Sequence, residues 1–415
     1  MNPDRPHSAR RAGLAAVLAA VALAAAACSA PQPVLNVPIV RTPPPAEPTP
    51  PVVSRAPETL PLPRFAADGP VALLLPLSGA YAAPAAAVRE GFLAAHFDAG
   101  DARELRIYDV GTTPERLLSA YQRALDEGAA FIVGPLMKES AARLATMNPP
   151  VPVLSLNHLD AGGFVPQDFF QIGLAPEDEA RAAADDAAAG NLRNAVALVP
   201  EGDWGDRVLA ALEGRMAQWG GRIVASARYR QGVSDQSDVI AQLMGVAASR
   251  ERHRELTNAL GVRTEFDARR RADIDFVFVG ARATEARVLL PQFRFHRATG
   301  LPHYATSMVY DGRGDAELAG LRFCDMPFML DTTGELAQER QQASSLSNVG
   351  AYPRLYALGR DAYAVAAALQ RGGLRVGDSL DGATGMLEWG DSSTIQRRLR
   401  CAALRADGID AGLGL

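Results

Sequence analysis

One lysine, three cysteines and six histidines are the side chains from which nucleophilic, redox or metal chemistry could be assembled in this chain of 415 residues. The lysine, Lys138, stands in "FIVGPLMKES" (131–140), and every other basic side chain that is always charged is arginine. An ammonium is a compact point charge and a guanidinium a planar fork, so a lone lysine points to a carboxylate or other anion of restricted geometry. His7, His96, His158, His253, His296 and His303 show no paired ligand spacing, and no metal site is expected. His158 follows the end of an apolar run and reads as a solvated loop histidine. No GxSxG, P-loop, HExxH or GxGxxG pattern occurs. The expectation is therefore a protein that is not an enzyme and needs no cofactor. A net charge of −5 without a basic-aromatic stretch gives no footprint for nucleic acid.

The cysteines divide by position. Arg5, Arg10 and Arg11 precede the uncharged run 12–27, which is short for a membrane span and ends in Ala25-Ala26-Ala27-Cys28. Small residues directly before a cysteine resemble a lipobox, although Ala25 replaces the usual leucine. An ordinary secretory signal with an incidental cysteine is the plainer alternative. The expectation is a lipoprotein signal peptide over 1–27, removed to leave a lipidated Cys28. Ser29 in place of aspartate is compatible with sorting to the outer membrane, the anchored protein facing the periplasm. In that oxidising compartment Cys324 and Cys401 either form one disulfide or stand as two buried thiols.

Thirteen prolines fall within residues 31–70. Such a stretch cannot bury a core and favours extended polyproline II, about 3.1 Å per residue, so 28–68 reads as a disordered spacer. From residue 69 the pattern changes. "VALLLPL" (71–77) is a short apolar run of the kind found in buried parallel strands. Strand and helix then alternate through "LRIYDV", "FIVGPL" and "VPVLSLN", and restart through "NAVALVPE", "RIVASARY", "DIDFVFVGA" and "PHYATSM". One long helix is expected from 237 to about 265. Two tandem series of this type predict an α/β clamshell of two lobes, each a doubly wound, mostly parallel sheet. Lobe I is placed at about 69–158 and 320–375, and lobe II at about 172–310 with 376–415. The hinge is expected to cross near 157–171 and 310–321.

"VALLLPLSGAYAAPAAAVREGFLAAHFD", "DQSDVIAQL", "LYALGRDAYAVAAAL" and "DGATGMLEWGDS" resemble stretches of type I periplasmic solute-binding proteins, over about residues 69–405. "VGPLMK", "RRADIDFVF", "LPHYATSMVYDG" and "LAGLRFCDMPFML" are similar to one branch of that superfamily, the penicillin-binding-protein activator lipoproteins. The best-known members carry a separate N-terminal helical-repeat domain, where this chain has the proline-rich stretch. The resemblance implies an outer-membrane lipoprotein that activates a bifunctional penicillin-binding protein in peptidoglycan synthesis without being an enzyme. The superfamily implies an alternative, a periplasmic receptor passing an amino acid or other small ligand to a transporter.

The two readings differ in the chemistry of the cleft, which in such folds is lined by loops at strand carboxyl ends. The candidates there are Ser78, Gly79, Lys138, Asn157, Trp204, Arg282, Tyr310 and Asp311. An amino-acid receptor needs donors for a carboxylate and an acceptor for an ammonium. Met137 and Lys138 stand where such receptors usually place small hydroxyl residues, which argues against amino-acid capture and leaves room for an anionic ligand. Lys138 is expected to pair with a carboxylate across the cleft or with that ligand; a surface lysine offset by the neighbouring Glu139 is the plainer alternative.

Overall fold

A computed structural model describes residues 69–412, apart from 161, 263, 373, 391 and 392. The signal segment, Cys28 and the proline-rich stretch to residue 68 lie outside the described residues. The described residues all fall within one unit, 61–415.

"VALLL" forms β1 (Val71–Leu75), buried along its length. Successive side chains of a strand point to opposite faces. Leu73 and Leu75 accordingly join one apolar cluster with Phe131, while Ala72 and Leu74 join another with Ile132. Both faces need cover. α1 (Ala82–Asp98) covers the first, and α2 (Pro114–Asp126) and α3 (Lys138–Thr146) cover the second. β2 (Leu105–Asp109), β3 (Phe131–Val133), β4 (Val153–Ser155) and β5 (Phe169–Gln171) complete a parallel sheet in the order β2-β1-β3-β4-β5.

The second series begins with α4 (Pro176–Ala189), β6 (Asn194–Pro200), α5 (Asp203–Gln218) and β7 (Arg222–Tyr229). The helix expected to run unbroken from 237 breaks at Gly245 (φ 74°) into α6 (Ser237–Leu243) and α7 (Val246–Leu260). β8 (Phe276–Val279), α8 (Ala283–Phe293), β9 (His303–Ala305) and β10 (Arg322–Asp325) follow. Next come α9 (Pro327–Leu330), α10 (Glu335–Ala343), α11 (Ser347–Ala351) and α12 (Pro353–Gln370). β11 (Ser379–Gly382), β12 (Gly385–Trp389) and β13 (Ile395–Arg398) make a small antiparallel sheet, and β14 (Arg400–Leu404) and β15 (Ile409–Asp410) end the body. The larger sheet has the order β15-β14-β10-β9-β8-β6-β7, antiparallel only at β14 and β15.

α12 returns to the first half and lies along α1. Two glycines allow the approach. A Cβ on Gly91 would stand 1.9 Å from the Tyr356 carbonyl oxygen, and one on Gly359 would stand 2.0 Å from that of Val88. The glycines of "REGF" and "ALGRD" are thus where two helix backbones meet.

The chain passes between the halves three times, and the passages differ from those the sequence suggested. β5 pairs with β4, so the first half runs on to Gln171. β10 pairs with β9 and β14, so the second half runs on to Asp325 rather than leaving near 310–321. Leu387 and Ile395 of the small sheet join the first-half core, and the Trp389 ring lies 5.0 Å from that of Phe170, so 379–398 belongs with the first half. The three passages are then residues 172–175, 326–352 and Leu399. Cys324 and Cys401 face each other on β10 and β14, where the structure joins them as a disulfide.

The turn "DGATG" is held by a buried carboxylate. Asp361 of α12 accepts from the Ala383 and Thr384 N–H groups, both at 2.7 Å, and from the Thr384 hydroxyl. Asp361→Ala orphans these buried donors and is expected to cost about 3 kcal/mol in urea unfolding. A cost near zero would mean that the hairpin is held by its apolar contacts alone.

Candidate functional site

The loops at the carboxyl ends of β1, β3 and β4 gather four of the eight candidates along one edge of the first sheet. Ser78 follows β1, and its hydroxyl accepts from Arg116 Nη1 at 2.8 Å. The other Arg116 nitrogen, Nη2, donates to Asp109 at 2.7 Å, and Asp109 also accepts from the Leu77 and Gly111 N–H groups. Gly79 beside it has φ 79°, which opens the loop. Asn157, after β4, donates through Nδ2 to the Leu136 carbonyl at 3.1 Å and accepts from the His158 N–H at 3.0 Å. It pins the β4 loop to the β3 loop.

Lys138 opens α3, where a cation opposes the helix dipole. Its ammonium is paired with Asp160, and this hydrogen bond, with the Lys138 charge, holds the Asp160 carboxyl below its usual range. A carboxylate partner was expected across the cleft. It comes instead from the β4–β5 loop of the same half, because a side chain at the start of α3 reaches along its own sheet edge. Asp160 is 83% exposed, and exposed pairs contribute little to stability. Lys138→Ala is therefore expected to leave the urea midpoint unchanged; a shifted midpoint would assign the lysine a structural role.

Trp204 and Arg282 occupy the matching edge of the second sheet, after β6 and β8. Trp204 is half-buried in the first turn of α5, its ring against Gly280. Arg282 is exposed and caps α8, its N–H donating to Glu285 at 2.8 Å. Arg207, one turn beyond Trp204, stands on the other half near enough for its charge to add to the lowered pKa of Asp160.

The remaining two candidates stand elsewhere. Tyr310 is a core residue, 7% exposed, with its ring 4.9 Å from that of Phe323. Asp311 is exposed and lines a different groove of 610 Å³ with Thr332, Thr333, Gln338 and Ser344. His158 is not solvated: its Nε2 is buried, and burial pulls its pKa below the usual histidine range.

Sequence reasoning missed the charged residues at the passages. Asp178 and Arg397, 1% and 2% exposed at the side chain, form an ion pair at 3.1 Å, and Arg397 also donates to the Ala175 carbonyl. Asp325 and Arg354 form a second pair, and Glu179 accepts two hydrogen bonds from Ser307. A signal for one of them exists. In "IQRRL" the inward positions of β13 and its end are Ile395, Arg397 and Leu399, which puts one arginine into an apolar row.

Ser237 and His296 are within 2.6 Å, but the buried His296 Nδ1 has no acceptor to orient the ring as a catalytic base requires. Among the described residues no group of three or more potential metal ligands occurs, and no helix is long and apolar enough to cross a membrane.

Two doubly wound sheets joined by three passages, with loops at the strand carboxyl ends meeting between them, define a type I periplasmic-binding-protein fold. An ABC transporter substrate-binding protein from Sphaerobacter thermophilus shares it, with a TM-score of 0.55 and 18% identity over 83% of this chain and 96% of that one. The chain belongs to the LppC family, described as "LppC putative lipoprotein", whose profile matches residues 63–406. A penicillin-binding protein activator LpoA of Vibrio antiquarius is 28% identical over 349 residues, 80% of this chain and 56% of that one. The C-domain of LpoA (YraM) from Haemophilus influenzae, a regulator of PBP1A, superposes with a TM-score of 0.64 at 22% identity, over 82% of this chain and 99% of that one. The chain thus spans little more than half the length of the curated relatives it matches.

Proposed function

We propose that this protein is a non-enzymatic activator of a bifunctional penicillin-binding protein in peptidoglycan synthesis. It is held at the outer membrane by lipid on Cys28, with 28–68 as the spacer that lets the body work away from that membrane. The reading rests on the relatives named as penicillin-binding protein activators, which align with four fifths of this chain. The site supports it against the receptor reading. The Ser78 hydroxyl, the Lys138 ammonium and the Asn157 amide are engaged within the protein. A receptor would hold such groups ready for a ligand.

The test is reconstitution. The full mature lipoprotein, added to a purified class A synthase from the same cells, is expected to raise the rate of glycan polymerisation or cross-linking. No stimulation, together with calorimetric binding of a free amino acid, would support the receptor instead. Cys28→Ala is expected to yield unanchored or uncleaved precursor; recovery of mature protein in the outer-membrane fraction would remove the lipid from the proposal.

A further inference from the structure

Each of the three passages brings a charged residue to one joint, and the proposed function uses none of them. Asp178 and Glu179 follow the first passage, at the start of α4. Asp325 ends β10 just before the second passage, and Arg354 stands just after it in the first turn of α12. Arg397 lies on β13 just before the third.

Their contacts interlock. Glu179 is half-buried as a residue, but its carboxyl is turned inward, accepting from the Ser307 hydroxyl at 2.7 Å and the Ser307 N–H at 2.8 Å. Arg354 donates to Asp325 and, through Nη2, to the carbonyls of Ser307 at 3.2 Å and Tyr310 at 2.8 Å. Ser307 therefore touches Glu179 with its donors and Arg354 with its acceptor. Arg354 and Arg397 are carried by elements packed on the first-half core, whereas Glu179, Ser307 and Asp325 belong to the second half. Any rotation of one half against the other must shift these arginines relative to the two carboxylates.

We propose that this joint is a proton-linked hinge, in which Glu179 holds a proton while the halves are packed as described and releases it when they rotate apart and water enters. Burial, with the neighbouring Asp325 charge, pushes Glu179 up to about 7, against the opposing pull of the two Ser307 donors and Arg397. Protonation removes the repulsion between the two carboxylates.

The other groups facing the joint are Asp178 and Arg181 on α4, Glu177 at its start, His158 from the β4 loop, and Tyr310 after β9 with the Arg340 and Asp311 charges near it. Burial pushes Tyr310 up, away from the Glu179 window, and pulls His158 down from the ordinary histidine range, so its protonation at low pH opposes the packed joint rather than adding to the Glu179 effect. The sign follows from linkage. The packed joint binds the proton more tightly than a water-filled one, so its advantage is complete below the ordinary glutamate range and lost as pH rises through about 7. One pKa unit is a factor of ten, so opening gains at most about a few hundred-fold across the window.

Hydrogen exchange of the full mature chain tests this, read at the amides of 172–178, 307–310 and 323–331 and corrected for the intrinsic pH dependence of exchange. Between pH 5.5 and 8.5 the opening constant of the wild type is expected to rise at least about tenfold. Glu179→Gln, which keeps an acceptor for Ser307 without the charge, is expected to hold the low-pH value throughout. A flat wild-type profile, or an undiminished rise in the variant, would overturn the proposal. Should the variant fail to fold, a carboxyl-carbon NMR titration of the wild type decides: a Glu179 midpoint near 7 supports the hinge, and one near the ordinary glutamate value refutes it.

Discussion

Arg397→Ala is expected to lower the unfolding free energy by about 3 kcal/mol. The loss leaves Asp178 as a charge inside the protein, 1% exposed at its side chain, and frees the Ala175 carbonyl. Arg181, one turn along α4 and 37% exposed, remains as a second partner and keeps the cost at the lower end for a broken buried pair. Replacing both partners, as Asp178→Leu with Arg397→Met, removes the stranded charge, and the pair is expected to lose far less than the single substitution. Urea unfolding of the wild type, the single variant and the double variant makes the check. Equal losses in the single and double variants would show that the arginine acts through packing rather than charge.

Gly91→Ala and Gly359→Ala are expected to cost at least about 3 kcal/mol each, the upper end for overpacking. The atoms a new methyl would meet are backbone: the Tyr356 oxygen at 1.9 Å for Gly91, and the Val88 oxygen at 2.0 Å with the Phe92 nitrogen at 2.8 Å for Gly359. Neither can swing aside, so the two helices must separate along a buried seam. Gly214 provides the contrast. It lies on an exposed face of α5 with nothing within 4 Å of its Cβ position, and alanine there is expected to stabilise by about 0.5–1 kcal/mol. The opposite signs are measurable as opposite shifts of the urea midpoint. A neutral Gly359→Ala would mean that the seam is looser than described.

The two tandem sheets were legible because buried parallel strands are short apolar runs and the helices between them carry a different period. "VALLL", "FIV" and "FVFV" stand out in this way. The borders between halves were not, since they depend on pairing between distant segments. Nothing local in "RFCD" says that it pairs with "RCAAL" rather than continuing into the first half. The candidates in the loops after β1, β3, β4, β6 and β8 could be placed at their sheet edges because a strand end fixes a loop. Tyr310 could not, because its burial depends on Phe323, thirteen positions later on another strand. The partner of Lys138 was hidden for a like reason: it lies in a loop, and loops carry no periodic signal. Glu179 and Arg354 resemble ordinary surface residues of polar helix starts, and only the convergence of three passages shows otherwise.

The disulfide between Cys324 and Cys401 has a topological consequence. One cysteine precedes the second passage and the other follows the third, so everything the chain lends to the first half between them is a closed covalent ring. A protease that cuts within it, for example at the exposed Arg375, opens the ring without dividing the molecule. The nicked protein would migrate as one piece until a reductant is added, and only then as two.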